Sequence, residues 1–159
     1  MIDVFLLLGS NLGDRKMYLD NAILHIETGI APIFKRSSVY ETQSWGKTDE
    51  PDYLNQVIEL KTVLSAEVIL QKILNIEKLM GREREIKWGS RIIDIDILFY
   101  GSEIISEPGL QIPHPELHKR MFTLVPLNEI APDFIHPILD KNIFQLKSEL
   151  KSDLLVKKF

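Results

Sequence analysis

Two aspartates separated by a single residue stand in an otherwise apolar run of the sequence. Asp94 and Asp96 alternate with isoleucines at positions 93, 95 and 97. Because successive side chains of a strand point to opposite faces, the isoleucines are expected in the core and both carboxylates on the other face. Aspartate is a poor strand former, and two neighbouring like charges favour a cation between them. The pattern therefore predicts a metal site, or else two solvent-facing carboxylates paired with Arg or Lys.

Magnesium is the metal that this donor set favours. The chain has no cysteine, and oxygen ligands are typical of Mg²⁺, which completes its octahedron with water and phosphate oxygens. Four basic residues precede the aspartates by 3 to 14 positions: Arg82, Arg84, Lys87 and Arg91. Cations and carboxylates at one end of a strand suit a polyphosphate with Mg²⁺, so a nucleotide is the favoured ligand. Glu83 and Glu85 leave open a solvated surface loop.

The usual phosphate-binding loops are absent from the sequence. Gly9 to Lys16 contains glycines and a lysine without the spacing of a P-loop, and no G-x-G-x-x-G follows a strand. We therefore interpret Gly9-Ser10-Asn11 as a structural strand-to-helix turn. A nucleotide must be held by another architecture.

The order of predicted elements indicates what that architecture is. Strands are predicted at Val4 to Leu8, Ser37 to Thr42, Tyr53 to Val63 and Ile92 to Tyr100, with one helix between the first two and another between the last two. This βαββαβ order predicts an α+β, ferredoxin-like antiparallel sheet with both helices on one face. Prolines from Pro113 onward predict a C-terminal extension of short helices and turns. This extension either covers the other face of the sheet, which gives an α/β/α layering, or leaves that other face open to a ligand.

Composition limits the class of protein. The 159 residues are 45% hydrophobic and 26% charged, which fits a single globular domain over residues 1–159. No apolar run approaches the roughly 18 residues that cross a bilayer, and Asp3 interrupts the start where a signal peptide would stand, so we expect a cytoplasmic protein without a membrane partner. The absence of cysteine excludes disulfides and thiolate zinc sites. A net charge of −4 argues against general nucleic-acid binding.

A family resemblance rests on several separated motifs. The run Lys87 to Leu98 resembles the signature of the 6-hydroxymethyl-7,8-dihydropterin pyrophosphokinases. Five other motifs are similar in order and spacing: Gly9 to Gly13, Tyr40 to Thr42, Pro51 to Asn55, Ile76-Glu77 with Gly81-Arg82, and Pro113-His114-Pro115 with Arg120 and Phe122. Together they cover roughly Val4 to Pro137. Several motifs in register make a chance similarity far less plausible than one short motif would.

The resemblance implies an activity and a set of site residues. The expected enzyme is a monomeric 2-amino-4-hydroxy-6-hydroxymethyldihydropteridine diphosphokinase of folate biosynthesis, which transfers diphosphate from ATP to the pterin and releases AMP. Asp94 and Asp96 would hold two Mg²⁺ ions, and Arg82 and Arg91 would assist the transfer. The implied ATP contacts are Arg84, Lys87, Ile97, His114 and Arg120. The implied pterin contacts are Thr42, Trp45, Tyr53, Asn55 and Phe122.

The sequence departs from the family pattern at several contacts. Gln43-Ser44-Trp45 stands where relatives often have Pro-Pro or Pro-Leu, and Gly109 and Gln111 stand where some place Arg or Lys and Thr. These changes bear on the loop that carries Trp45 and on the nucleotide contacts, and they leave Asp94, Asp96 and the other pterin contacts in place. Tyr53 and Asn55, two apart on a predicted strand, share a face as a stacking and hydrogen-bonding pair must.

Two other classes of protein remain as alternatives. One is a non-catalytic ferredoxin-like module that binds or senses a ligand. The other is an RNA-binding module on the same topology, which needs aromatic and basic residues on the central strands. Asp94 and Asp96 would repel an RNA phosphate there unless a metal intervened. Titration with ATP with and without Mg²⁺ separates the three classes.

Overall fold

The computed structural model describes residues 1–43, 52–81 and 92–159. The predicted site residues Trp45, Arg82, Arg84, Lys87 and Arg91 lie outside these ranges. The strands are β1 (Ile2–Ser10), β2 (Ile33–Arg36), β3 (Tyr40–Thr42), β4 (Tyr53–Thr62), β5 (Asp94–Tyr100), β6 (Ile105–Glu107), β7 (Leu110–Ile112) and β8 (Val156–Lys158). The helices are α1 (Arg15–Gly29), α2 (Ala66–Leu79), α3 (Met121–Ile130) and α4 (Ile143–Glu149), with a 3-10 turn at Leu117–Lys119.

Six strands form the main sheet in the part of the chain that the structure describes. Its order is β5-β1-β4-β3-β8, with β2 also paired to β4, and the pairings are antiparallel. Strands β6 and β7 form a separate hairpin. The predicted class, helices on an antiparallel sheet, is confirmed, and the elements follow the predicted order when β2 and β3 count as one interrupted strand. The ferredoxin-like assignment stays a prediction.

The second predicted strand, Ser37 to Thr42, was wrong in its extent. The chain pairs with β4 first at β2 and again at β3, and Ser37 lies in the break. There the Ser37 hydroxyl accepts the backbone N–H of Val57 at 3.0 Å, while the Ser37 N–H donates to the Val57 carbonyl at 2.9 Å. Because a side chain takes the place of a backbone acceptor, the regular ladder is interrupted at this residue.

Helices α1 and α2 cover one face of the sheet. Each begins with a side-chain cap, from Asp14 to the N–H of Met17 and from Ser65 to the N–H of Val68, as the sequence predicted for Ser65. Their apolar residues pack on Val4, Leu6 and Leu8 of β1 in one buried cluster. Full burial of a Leu or Ile side chain contributes about 1.5–3 kcal/mol, so this cluster holds β1 and β5 in place.

Helices α3 and α4 cover part of the opposite face. Phe5 and Phe99 of the sheet pack edge-on and tilted against Phe134, with ring centroids 5.1 and 4.6 Å away. Pro126 was predicted to break the chain into turns, but α3 runs through it. Proline removes one helical hydrogen bond, and here the burial of Leu124 and Leu127 beside it keeps the helix intact. No helix in the described ranges has the length and apolar character that crossing a membrane requires.

Glu129 fastens α3 to β3 and to the residue Ser38 that precedes it. Its carboxylate accepts hydrogen bonds from the Tyr40 hydroxyl at 2.7 Å and from the Ser38 hydroxyl and backbone N–H at 2.9 and 3.0 Å. Burial, followed by the hydrogen bond to Glu129, raises the pKa of Tyr40 to about 12, so the phenol remains a donor. This contact fixes the orientation of α3, whose first turn carries Phe122.

Candidate active site

The centre of the site is a row of three residues across neighbouring strands. Asn55 of β4 lies opposite Gly9 of β1, and Gly9 lies opposite Asp94 of β5. Two residues along the same pair of strands, Leu7 lies opposite Asp96. Strands in a sheet are about 4.8 Å apart, so the Cα atoms of Asn55 and Asp94 are separated by roughly 10 Å. The predicted pterin-binding residue Asn55 and the predicted metal-binding residue Asp94 therefore lie side by side, with one glycine between them.

A cleft of about 760 Å³ opens over this row, on the face away from α1 and α2. This volume lies within the range typical of small-molecule sites. Its walls come from the strand ends, the start of α3 and the chain that leads to β8. The lining residues are Leu7, Gly9, Thr42, Gln43, Tyr53, Asn55, Asp94, Asp96, Glu116, Lys119, Arg120, Met121, Phe122, Leu150, Lys151, Ser152, Asp153 and Leu154.

Most of the site residues predicted within the described ranges meet in this cleft. Seven of them line it: Thr42, Tyr53, Asn55, Asp94, Asp96, Arg120 and Phe122. His114 lies just behind Asp96. The side chain of Ile97 is placed elsewhere, because it is buried in the cluster beneath α1 and α2 and does not line the cleft. Its implied contact with ATP stays a prediction.

The strand that carries the carboxylates follows the predicted alternation. Ile93 and Ile95 are buried on the helix side, while Asp94 and Asp96 are half-buried and line the cleft. The alternation ends where the β1–β5 register shifts between Phe5 and Leu6. Beyond this irregularity Leu98 and Phe99 both join the core under α3, which closes the inner end of the site.

His114 is oriented so that one ring nitrogen faces Asp96. Its Nδ1 accepts the backbone N–H of Glu116 at 3.1 Å, and its Nε2 lies 4.0 Å from Oδ2 of Asp96. An accepting Nδ1 places the proton of the neutral ring on Nε2. Burial, followed by the positive charge of Arg120, lowers the pKa of His114. At neutral pH this side chain is therefore a neutral donor directed toward the carboxylate pair.

Arg120 and Phe122 form the entrance to α3 and line the cleft together. The guanidinium of Arg120 lies 5.6 Å from the centroid of the Phe122 ring, within the range of a cation–π contact. Arg120 occupies the position before the first helical residue. One short segment thus presents a positive charge and an aromatic face to the same cavity.

Two buried polar atoms at the β3–β4 end of the cleft lack partners within the described chain. They are Oγ1 of Thr42 and Oδ1 of Asn55, in side chains that are 3% and 4% exposed. Thr42 lies opposite Tyr53 in the ladder, and Asn55 is two residues from Tyr53 on the same strand. The polar groups of Thr42 and Asn55 therefore belong to one patch. Leaving a buried polar atom unpaired costs about 1–3 kcal/mol. A patch of this kind beside an aromatic ring fits a flat ligand with hydrogen-bonding edges.

Sequence reasoning gave no role to Glu77, although it quoted the residue within a motif. Its side chain is 2% exposed, and Oε2 accepts the backbone N–H of Ile95 at 2.9 Å. Ile95 lies between the two aspartates on β5, an edge strand of the sheet. A glutamate on the apolar side of a predicted helix was the signal that could have identified this contact.

The chain from Leu150 to Leu154 was also missed. It forms one wall of the cleft before β8 joins the sheet beside β3, where Val156 lies opposite Thr42. The segment is short and largely polar, so no hydrophobic period marks it in the sequence. Its position depends on pairing with a strand more than a hundred residues earlier in the chain.

The donor set fits a magnesium ion bound together with phosphate oxygens. Asp94 and Asp96 supply oxygen ligands on one face of β5, and Mg²⁺ commonly takes one or two carboxylates from a protein and the rest from water and phosphate. Over residues 1–43, 52–81 and 92–159 no group of three or more acidic or histidine side chains is placed to hold a metal by itself. Two carboxylates would leave the other positions of an octahedral ion to water and phosphate oxygens.

The cleft combines a pair of carboxylates with a patch of aromatic and polar side chains that fits a flat ligand. A sequence model of the family described as 7,8-dihydro-6-hydroxymethylpterin-pyrophosphokinase (HPPK) matches residues 5–132. The chain belongs to this family, and the resemblance noted in the sequence is confirmed. Its enzyme class is therefore pyrophosphokinase, and its role lies in folate biosynthesis.

Individual relatives agree with this assignment. The chain is 46% identical over 149 residues to the 2-amino-4-hydroxy-6-hydroxymethyldihydropteridine pyrophosphokinase of Aquifex aeolicus, covering 94% of this chain and 92% of the relative. It is 41% identical over 129 residues to the enzyme of that name from Bacillus subtilis, covering 80% and 77%. The wild-type Plasmodium falciparum HPPK-DHPS structure with STZ-DHP superposes with a TM-score of 0.77 at 20% identity. The chain spans 43% of that longer protein, and this similarity shows the fold alone.

Proposed function

We propose that the cleft transfers the β,γ-diphosphate of ATP to the hydroxymethyl group of 6-hydroxymethyl-7,8-dihydropterin and releases AMP. Membership of the pyrophosphokinase family supports the reaction. The observation that carries it in this structure is the single cleft that holds the Asp94–Asp96 pair at one end and the unpartnered atoms of Thr42 and Asn55 at the other. Donor and acceptor can then bind side by side, as a direct transfer requires.

The acceptor end suits a flat heterocycle. Tyr53 and Phe122 supply aromatic faces for stacking, and both line the cleft. Thr42 and Asn55 supply the hydrogen-bonding groups that read its edge. Holding the ring flat beside Asn55 directs the exocyclic hydroxymethyl group toward Asp94, which lies one strand beyond Gly9 in the same row.

The donor end suits a magnesium-bound triphosphate. Asp94 and Asp96 would hold Mg²⁺, for which we propose two ions, and the metal would neutralise charge on the phosphate oxygens. Nε2 of His114 faces this end from 4.0 Å, and Arg120 adds a positive charge at the cleft wall. Arg82 and Arg91 stay predicted contributors from outside the described ranges.

The chemical step forms one bond and breaks one. The acceptor oxygen attacks the β-phosphorus, and the bond from that phosphorus to the oxygen bridging the α and β positions breaks, so its electron pair leaves with AMP. The hydroxyl proton passes to solvent. Phosphoryl transfer through a loose transition state places little demand on a general base, so positioning and charge neutralisation supply most of the catalysis.

Calorimetric titration tests the arrangement of the two subsites. A non-hydrolysable ATP analogue should bind only with Mg²⁺, and the pterin should bind in the presence of the analogue. Asp96→Asn should weaken the Mg²⁺-dependent binding of the analogue, whereas Asn55→Ala should weaken pterin binding and leave the analogue unaffected. Mg²⁺-independent nucleotide binding with no pterin binding would instead favour a non-catalytic ligand-binding module.

A further inference from the structure

We infer that Gly9 is a positioning residue for the acceptor, because the space left by its missing side chain holds the amide of Asn55. This inference rests on the proposed function, since it assigns Asn55 to acceptor recognition. It replaces the interpretation of Gly9 as part of a strand-to-helix turn. In the structure Gly9 lies within β1, paired to strands on both sides.

The contact between the two residues is close. A methyl group placed on the Cα of Gly9 would lie 2.8 Å from Nδ2 of Asn55. Ordinary non-bonded contacts between heavy atoms are about 3.5–4.0 Å, so the amide occupies the volume that any other residue would fill. The next nearest atom, the carbonyl oxygen of Leu54, is 3.8 Å away and would not be disturbed.

Backbone conformation does not explain the glycine. The glycines with positive φ in the described chain are Gly13, Gly81, Gly101 and Gly109. Gly9 has the backbone of an ordinary strand, which alanine adopts without strain. A glycine inside a strand weakens it and often marks a close approach, and the close approach here is the Asn55 amide.

The position of this amide links the two ends of the cleft. Asn55 is 4% exposed, and its Nδ2 lies beside Gly9, the residue opposite Asp94. A side chain at position 9 would push the amide away from that place. The acceptor would then lose its hydrogen-bonding partner, or bind with its hydroxymethyl group displaced from the donor phosphate. Nothing at the carboxylate end would change.

The test is a double-mutant cycle on acceptor binding, measured with the non-hydrolysable ATP analogue and Mg²⁺ present. Gly9→Ala should raise the dissociation constant for 6-hydroxymethyl-7,8-dihydropterin by about tenfold or more, and that of the analogue by less than about twofold. In an Asn55→Ala background the same change should have an effect below about twofold, because the displaced group is gone. Gly29→Ala is the matched control, since its added methyl group would meet no described atom within 4 Å beyond its own helix and chain neighbours.

The outcomes separate the inference from the function on which it rests. The inference would be overturned if the losses of pterin affinity caused by the two substitutions multiply in the double variant. Unchanged pterin binding in Gly9→Ala would overturn it as well. If Gly9→Ala lowers the melting temperature of the unaltered protein, the double variant should melt at the temperature of Asn55→Ala alone. A double variant that melts below Asn55→Ala would also overturn the inference. Absence of pterin binding by the unaltered protein would overturn the proposed function itself.

Discussion

The carboxylate of Glu77 accepts the backbone N–H of Ile95 at 2.9 Å, and this bond ties α2 to the part of β5 that carries both aspartates. Among the described residues β5 is an edge of the main sheet, so no described strand lies beside its outward N–H groups. A glutamate from the packed helix supplies the acceptor that a neighbouring strand would otherwise provide. The contact gives the aspartate pair a fixed support.

Replacing Glu77 with alanine should therefore weaken both stability and magnesium use. The Ile95 N–H would be left buried without this acceptor, at a cost of about 1–3 kcal/mol in the free energy of unfolding. The Mg²⁺ concentration for half-maximal activity should rise, because the backbone between the aspartates is less well held. Denaturant unfolding and Mg²⁺ titration of activity measure the two effects. Glu67→Ala, an exposed position on the same helix, should match the unaltered protein, and equal behaviour of the two variants would refute the supporting role.

Asparagine at position 94 or 96 should abolish turnover and preserve the fold. Both carboxylates are half-buried at the cleft and contribute little to core packing, so the free energy of unfolding should change by less than about 1 kcal/mol. Loss of a metal-binding carboxylate should lower the turnover number by about a hundredfold or more. Asp3→Asn is a control at the far end of the same sheet. Near-normal turnover in either site variant would remove the metal assignment.

His136 should make the protein less stable as the pH falls. The ring is 3% exposed, and its Nδ1 accepts the backbone N–H groups of Ile138 and Leu139. Burial, followed by the nearby His118, lowers the pKa of His136 from 6.5 to about 4. The unfolded chain takes up this proton below about pH 6.5 and the folded chain only near pH 4, so stability is full above that window and is lost across it.

An asparagine at position 136 is the matched test of this pH dependence. Its carbonyl oxygen can accept the same backbone N–H groups as Nδ1, but it does not titrate. The free energy of unfolding, measured at steps through the window, should fall less steeply for His136→Asn than for the unaltered protein. Parallel curves for the two proteins would show that another group is responsible.

The carboxylate pair was predictable because strand alternation is a local property. A period of two was enough to place Asp94 and Asp96 on one face of the strand and Ile95 on the other. Family motifs located Thr42, Tyr53, Asn55, Arg120 and Phe122, and the structure brings them to one cleft. Their individual roles stay predictions.

Features that depend on pairing between distant segments were not predictable. The opposition of Asn55, Gly9 and Asp94 follows from the register of three strands, and sequence reasoning assigned Gly9 to a turn. The break at Ser37 depends on a side-chain hydrogen bond to Val57. The wall at residues 150–154 depends on β8 reaching β3. In each case the deciding contact joins residues that no local pattern connects.

The most direct test of the whole account is the identity of the nucleotide product. The protein should be incubated with Mg-ATP and 6-hydroxymethyl-7,8-dihydropterin, and the nucleotides and pterins separated and quantified over time. Attack at the β-phosphorus predicts AMP and the pterin diphosphate in a one-to-one ratio, with no AMP formed when the pterin is omitted. ADP together with a pterin monophosphate, or ATP consumption that does not depend on the pterin, would contradict it.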